Sequence, residues 1–392
     1  MSFIHRDLSV KLESLASQFP VVALMGPRQS GKTTLAKKTF KNYAYVTLEN
    51  FDAQQLAMTD PRLFFKTYEN PHGIIIDEIQ NVPTLLSFMQ GVVDEAYRPG
   101  YFIITGSQNL LLHEKVSQTL AGRIALLSLL PLTVSELTNA HKLPNTLEEL
   151  LIKGFYPRVY TEPVLFEDWF SSYLATYVQR DVRQVLNIGD LFTFQRFLKL
   201  CAQRIGQQLN YSSLASDCGI SPNTARAWIS LLSASFIIFL VQPYYKNLNR
   251  RLVKTPKLYF YDSGLACSLL NIIDAQTLLT HQYRGALFES FVMGELTKIR
   301  LNLGKQPDLY FVRDEKGYEV DCIWERQETL IPIEIKSGTT VRSTFFERLA
   351  EWPQLSGQPA ASSFVVYAGD QDQAWPHATV LSWKNIAQIM QT

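Results

Sequence analysis

The run Gly26-Pro-Arg-Gln-Ser-Gly31-Lys32-Thr33 carries the densest chemistry in the chain. Its spacing is glycine, four residues, glycine, lysine, hydroxyl residue, which is that of a phosphate-binding loop. Gly26 and Gly31 let the backbone wrap around phosphates. The loop N–H groups and a following helix N-terminus supply positive dipole. Lys32 is expected to reach the β and γ phosphates and Thr33 to offer its hydroxyl to Mg²⁺. The expected nucleotide contacts are Gly26, Pro27, Gln29, Ser30, Gly31, Lys32, Thr33 and Thr34. Arg28 is expected to face solvent.

A second run, Gly73-Ile-Ile-Ile-Asp77-Glu78, reads as a buried strand ending in two carboxylates. In nucleotide hydrolysis the first acid holds Mg²⁺ and the second polarises the attacking water. A third, Tyr101-Phe-Ile-Ile-Thr105, ends in Gly106-Ser107-Gln108. A polar side chain there can sit between the carboxylates and the terminal phosphate, and Ser107 is favoured over Gln108. Arg123, in Ala121-Gly-Arg-Ile124, is a candidate for stabilising transition-state charge. It fits an ordinary surface ion pair equally well. The catalytic expectation is therefore Lys32, Glu78, Ser107 and Arg123, with Thr33 and Asp77 on the metal.

Near the C-terminus stand Glu319-Val-Asp321 and Ile331-Pro-Ile-Glu334-Ile-Lys336. Alternate strand residues share a face, so Glu334 and Lys336 point one way and Ile333 and Ile335 the other. If the two strands pair, Asp321, Glu334 and Lys336 converge. Two acids that bind Mg²⁺ and a lysine that orients water suit phosphodiester cleavage. Glu289, on what reads as an amphipathic helix, is placed to join them. The alternative is ordinary ion pairs on exposed strand faces. Residues 280–392 carry eleven basic and fourteen acidic side chains, so this region does not grip DNA by bulk charge.

The basic residues collect elsewhere. Residues 201–260 hold seven Lys or Arg against one acid, Asp217. Within them Ser212 to Trp228 reads as a helix-turn-helix: Gly219 in the turn, Ser221 as N-cap, Pro222 at the first helical position. Leu214, Ala215, Ile220, Ala225, Ile229 and Leu232 form its expected core. Phe236 to Tyr244 and Lys257 to Asp262 read as two strands of a wing. Arg226, Lys246, Arg250, Arg251 and Lys254 are the expected phosphate contacts. One basic residue on the second helix does not support sequence-specific readout. Winged helices also serve as protein-interaction modules.

These residues need a scaffold. Short apolar strands alternate with helical stretches in the first 145 residues, which argues for a parallel sheet covered on both faces. A helical segment follows at 146–205, the winged helix at 206–270, and an α/β domain at 271–392, with strands at Leu309 to Arg313, Glu319 to Trp324, Leu330 to Lys336 and Ser363 to Ala368. The chain has 392 residues, 46% of them hydrophobic, enough for two or three domains at roughly 150 residues each. Lys plus Arg number 37 and Asp plus Glu 36, so neither a globally basic coat nor an acidic tail is present. Four scattered cysteines indicate neither a zinc nor a disulfide framework. No signal-peptide or membrane-span pattern is visible, so a cytoplasmic protein is expected.

With these motifs in order, the chain resembles the bacterial and archaeal AAA-type ATP-binding proteins that carry a C-terminal domain of unknown function. The resemblance runs nearly the full length. It rests on residues 26–35, Ile76 to Gln80, Thr105 to Ser107, Leu120 to Arg123 with Leu130 to Leu132, Tyr177 to Asp181, Pro256 to Asp262, Glu319 to Asp321 and Glu334 to Lys336. It implies an α/β fold with an AAA-type P-loop NTPase parallel sheet, a helical region and winged helix, then a restriction-endonuclease-like α/β domain. Gly154-Phe155-Tyr156-Pro157 departs from the double glycine more usual there. The leading expectation is an Mg²⁺-dependent ATPase whose ATP cycle moves a DNA-facing winged-helix and nuclease-like module. Two alternatives stand beside it. One is an ATP-regulated, metal-dependent nuclease. The other is an ATP-dependent signalling or protein-interaction switch with an inert C-terminal domain. ATP is the expected ligand; DNA, a second copy of the chain and another protein are the partners left open, and no membrane is expected.

Overall fold

The computed structural model describes residues 3–107, 120–177, 191–244, 254–357 and 363–390. Strands β1 (Val21–Met25), β2 (Ala44–Thr47), β3 (Ile74–Asp77), β4 (Phe102–Gly106) and β5 (Ile124–Ser128) form one sheet in the order β2-β3-β4-β1-β5. All its pairings are parallel. The reason lies in the strand sequences. Val21-Val-Ala-Leu-Met25 has no polar face, so it must be covered on both sides. Val22 and Leu24 pack with Leu8 and Leu12 of the helix Leu8–Ala16 and Leu35 of the helix Lys32–Thr39. Val21, Ala23 and Met25 pack on the other face, where Phe64, Leu85 and Met89 lie.

Parallel strands run the same way, so all five deliver their C-terminal ends to one edge. Open α/β sheets place their ligand crevice along that edge. The phosphate loop, Asp77 and Ser107 all fall there.

The middle of the chain is helical, and its helix starts are written in the sequence. Thr133 and Thr146 form capping boxes with Glu136 and Glu149. Asn210 and Ser221 cap the helices Tyr211–Cys218 and Pro222–Ala234 through side-chain oxygens. Each such cap contributes about 1 kcal/mol. The turn between the last two helices uses Gly219 at φ +77°. Leu214, Ala215, Ala225, Ile229 and Leu232 are buried between them as expected, and Ile220 partly so.

The strands expected to form a wing are β6 (Ile238–Pro243) and β7 (Lys257–Phe260), an antiparallel pair. They do not stand free. Tyr310 and Phe311 of β8 (Leu309–Arg313) pair with Gln242 and Pro243 of β6. With β9 (Glu319–Arg326), β10 (Thr329–Lys336), β11 (Phe364–Tyr367), β12 (Gln373–Trp375) and β13 (Ala378–Ser382), the result is one eight-stranded sheet. Its order is β12-β13-β11-β10-β9-β8-β6-β7. The helix Arg284–Asn302 precedes β8, which runs antiparallel to β9; β9 runs antiparallel to β10; the helix Glu347–Ser356 then leads to β11, parallel to β10.

One expectation is corrected here. The helix Arg284–Asn302 is not amphipathic: Leu287, Phe288, Phe291, Val292, Met293 and Leu296 are buried, and so are Glu295, Thr297, Lys298 and Arg300. It is wedged between both sheets and the helical middle, so it has no solvent face along most of its length. Among the described residues no helix is long and apolar enough to cross a membrane.

Candidate active sites

Gly26 ends β1 at φ +151°, and a Cβ there would stand 2.1 Å from the Leu129 carbonyl oxygen. No other residue fits that approach. Gly31, at φ +94°, turns the chain into the helix Lys32–Thr39. Between them Gln29 sits in the left-handed region at φ +61°, where a side chain is strained. Two side chains from outside, Arg6 and Trp169, hold the loop. Arg6, which is buried, donates from Nη1 to Ser30 O at 2.7 Å and from Nη2 to Leu130 O at 2.6 Å. Its Nε pairs with Glu136 at 3.0 Å. Trp169 Nε1 donates to Gln29 Oε1 at 2.9 Å.

Lys32 folds back over the loop, donating to the carbonyls of Gly26 at 3.0 Å and Pro27 at 2.8 Å. The buried Ser30 Oγ has no hydrogen-bond partner. Thr33 Oγ1 donates to Asp77 Oδ1 at 2.8 Å. Asp77 also accepts from Thr105 and, at 3.0 Å, from Tyr45. A hydroxyl and a carboxylate side by side are the hard oxygen donors Mg²⁺ takes. Burial, with Asp77 second, pushes the Tyr45 hydroxyl well above its usual range, so it stays a donor to that carboxylate.

Glu78 follows at φ +58°, a second strained residue at the same sheet edge. Ser107 Oγ donates to Glu78 Oε2 at 3.3 Å, and Gln80 Nε2 reaches both Glu78 and, at 3.1 Å, Ser107. Glu78, Lys32, Thr33 and Thr34 line a cavity of about 640 Å³, together with Phe3, Ile4, Pro157 and Arg158. Ser107 thus stands beside Glu78, where the sequence put it. Gln108 lies outside the described residues.

Arg123 does not join them. It precedes β5, and its carbonyl accepts from Val21 N at the start of β1, the sheet edge away from the loop. Its guanidinium pairs instead with Asp94 at 2.6 Å. Strand direction is the physical reason: a residue entering a parallel strand sits a strand length from the ligand edge.

The helix-turn-helix presents Arg226 on its exposed side, with the guanidinium 5.0 Å from the Tyr211 ring centroid. Lys254 is exposed. Lys246, Arg250 and Arg251 lie outside the described residues.

At the other end of the molecule, β9 and β10 pair antiparallel, with Ile333 opposite Cys322 and so Glu334 opposite Asp321. The Lys336 ammonium reaches both acids, Asp321 at 3.2 Å and Glu334 more closely. Asp321 Oδ2 also accepts from Ile335 N at 2.8 Å. Glu334 is covered rather than exposed, at 1%, and its Oε1 has no partner, while Asp321 and Lys336 are half-buried. Burial, then the neighbouring Asp321, pushes its carboxyl up to about 8. Burial works against the Lys336 charge, yet the two acids hold its ammonium well above the usual range. Glu289 borders this pair without joining the Lys336 cluster: it accepts from Lys257 Nζ at 2.9 Å and Tyr259 OH at 2.6 Å. Among the described residues no three His, Cys, Asp or Glu side chains gather tightly enough for a metal ion.

Sequence reasoning missed Arg6, Tyr45, Gln80, Trp169, Lys257 and Tyr259. Gln80 and Lys257 lie inside runs already singled out. Arg6, Tyr45 and Trp169 are far from the loop in sequence and carry no local pattern.

Three family descriptions match successive parts of the chain: an AAA domain over residues 18–138, and domains of unknown function over 144–276 (DUF8612) and 284–386 (DUF4143). Uncharacterized protein Rv2008c of Mycobacterium tuberculosis is 31% identical over 342 residues, covering 86% of this chain and 74% of its own length. A protein of Methanocaldococcus jannaschii is 25% identical over 291 residues, covering 61% and 60%. Among solved structures, a Walker-type ATPase of Pyrococcus abyssi matches with a TM-score of 0.43 at 15% identity, covering 68% of this chain and 96% of that one. The chain belongs to the family of the mycobacterial relative, AAA-domain proteins that carry a C-terminal domain of unknown function.

Proposed function

We propose that the chain is an Mg²⁺-dependent ATP hydrolase whose nucleotide state is passed to a DNA-facing winged-helix segment and to the C-terminal acid site. The observation that carries the hydrolase reading is the meeting of Thr33, Asp77, Glu78 and Ser107 at one sheet edge beside the loop lysine. In this reading Lys32 leaves the Gly26 and Pro27 carbonyls for the phosphates. Mg²⁺, held by Thr33 and Asp77, would neutralise phosphate charge. Glu78 takes the proton of the attacking water, and Ser107 and Gln80 keep its carboxylate in place.

The coupling reading is supported by what grips the loop. The segment after β5, which Arg6 ties to the loop, is itself held by the helix Arg284–Asn302. Val134 N donates to Glu295 at 2.6 Å and Lys298 Nζ to Leu132 O at 3.0 Å. The same helix carries Glu289 to the acid site. ATP turnover of the full chain, measured with and without duplex DNA, tests this reading. Stimulation by DNA supports it; equal turnover moves the winged helix to a protein-interaction role.

A second reading, an ATP-regulated nuclease, is favoured by the convergence of Asp321, Glu334 and Lys336. The buried, unpartnered Glu334 Oε1 is the kind of hard donor a divalent ion takes up. Asp321 and Glu334 would hold that ion, which would polarise a phosphodiester. Lys336 would orient water or meet developing negative charge. Divalent-dependent cleavage that Asp321→Ala removes is the outcome this reading requires.

A further inference from the structure

The Pro256-Lys-Leu-Tyr-Phe-Tyr-Asp262 run belongs to the wing strand β7, yet its first side chain works elsewhere. Lys257 is 2% exposed. Its ammonium pairs with Glu289 at 2.9 Å and with Glu319 at 2.6 Å, reaching past the Phe311 ring of β8 to do so. Burial opposes the charge, but the surrounding carboxylates of Glu289, Glu319 and Asp321 hold it firmly in place. Tyr259, from the same strand, donates to Glu289 as well. Gly206, which hydrogen-bonds to β7 through Leu258 O, packs against Glu289, so the segment leading into the helix-turn-helix also borders this site.

We propose that Lys257 is a positioning residue of the C-terminal acid site: its ammonium holds Glu289 and Glu319 in the place of a second divalent ion, leaving Asp321 and Glu334 to hold one. This rests on reading Asp321 and Glu334 as a divalent-ion site. Two features separate it from an ordinary buried ion pair. A structural lysine needs one carboxylate, and a buried pair is weak evidence of stability; Lys257 takes two, from a helix and a strand distant in sequence. Four carboxylates, Glu289, Glu319, Asp321 and Glu334, meet two ammoniums and, at Glu319, the Arg313 guanidinium at 3.0 Å. Among the described residues, the buried carboxylate oxygen of this group without a hydrogen-bond partner is Glu334 Oε1, on the acid that pairs with Lys336 rather than with Lys257. The position left open for an ion is thus on the Asp321 and Glu334 pair. Sites that cleave phosphodiesters with two metals need carboxylates for both ions; here a lysine from the winged-helix segment takes up the two carboxylates, Glu289 and Glu319, that a second ion would use. A consequence is that the C-terminal site is complete only while β7 is docked.

Mn²⁺ binding to the nucleotide-free full chain, counted by equilibrium dialysis, tests this. An Asp77→Asn background removes the nucleotide site's contribution. The expected counts are one ion for the background, none with Glu334→Gln, one with Glu289→Gln, and two with Lys257→Met. Lys257→Arg, which keeps the charge, should stay at one. An unchanged count in Lys257→Met overturns the proposal. So does loss of the ion in Glu289→Gln, which would make Glu289 a metal ligand; this second arm decides alone if Lys257→Met does not fold. A background that binds no ion removes the divalent-site reading itself. Lys257 then keeps its role only if Lys257→Met gains an ion, and is refuted if it does not.

Discussion

The nucleotide loop and the C-terminal acid site are built in opposite ways. The loop is a shell of donors: backbone N–H groups, a helix N-terminus and Lys32, whose ammonium donates to two loop carbonyls. It is prepared for an anion. The acid site is a shell of acceptors already largely neutralised by Lys257 and Lys336. The loop draws its chemistry from successive strand ends of a single parallel sheet. The acid site draws on β7, β9, β10 and the helix Arg284–Asn302. A site of the first kind is assembled as soon as its sheet forms. A site of the second kind depends on how two parts of the chain are docked, and this makes it the place where a nucleotide-driven movement would be felt.

The comparison is broken most severely at Lys32. Lys32→Ala should abolish nucleotide binding while the circular dichroism spectrum stays that of the parent, because the side chain contacts the loop and not the core. Full ATP affinity in that variant would remove the loop from the account. Asp321→Ala tests independence of the two sites: it should remove divalent-dependent cleavage of nucleic acid and leave ATP turnover within about twofold, being in a separate sheet. A parallel loss of ATP turnover would mean that the sites act as one.

Smaller effects sharpen the link between them. Burial holds the Glu295 carboxyl up at about 6, above the ordinary glutamate value of about 4.3. The folded chain therefore keeps that proton where the unfolded chain has lost it. Stability should fall by about 2 kcal/mol as pH rises from roughly 4 to 6 and stay lost above. Glu295→Gln keeps an acceptor for Val134 N and should flatten that part of the pH profile in urea unfolding; an identical profile would contradict it. Trp169→Phe keeps an aromatic ring and deletes the bond to Gln29. It should weaken ATP binding by no more than about tenfold, the scale of one hydrogen bond. An effect beyond a hundredfold would show that the helix Phe166–Tyr177 does more than steady the loop.

How far the molecule could be read in advance follows the same division. The loop, Asp77, Glu78 and Ser107 were legible because each lies within a few residues of a recognisable strand end. The helix-turn-helix was legible because Gly219, Ser221 and Pro222 mark its turn and second start. Arg123 was left open between a catalytic role and an ion pair because its motif does not reveal which end of β5 it occupies, and Ile124-Ala-Leu-Leu-Ser128 merges into a longer apolar run that hides the strand. Asp321, Glu334 and Lys336 followed from alternation plus one pairing. Glu289 did not: its helix is buried almost all round, so periodicity says nothing about which way a glutamate faces. Lys257 reads as one more lysine in a basic stretch. Its partners are separated from it by helices and strands, and only the joining of β6 to β8 brings them within reach.

The central claim is that Glu78 activates the water that attacks ATP. Single-turnover hydrolysis by Glu78→Gln, measured beside ATP affinity, tests it most directly. The substitution keeps the side chain's size and its place near Ser107 and removes the base. ATP should bind as in the parent, and hydrolysis should fall by at least ~100-fold, the scale of a lost general base. Hydrolysis near the parent rate with unchanged binding would contradict the account and pass the role to another group at the same sheet edge, Asp77 first.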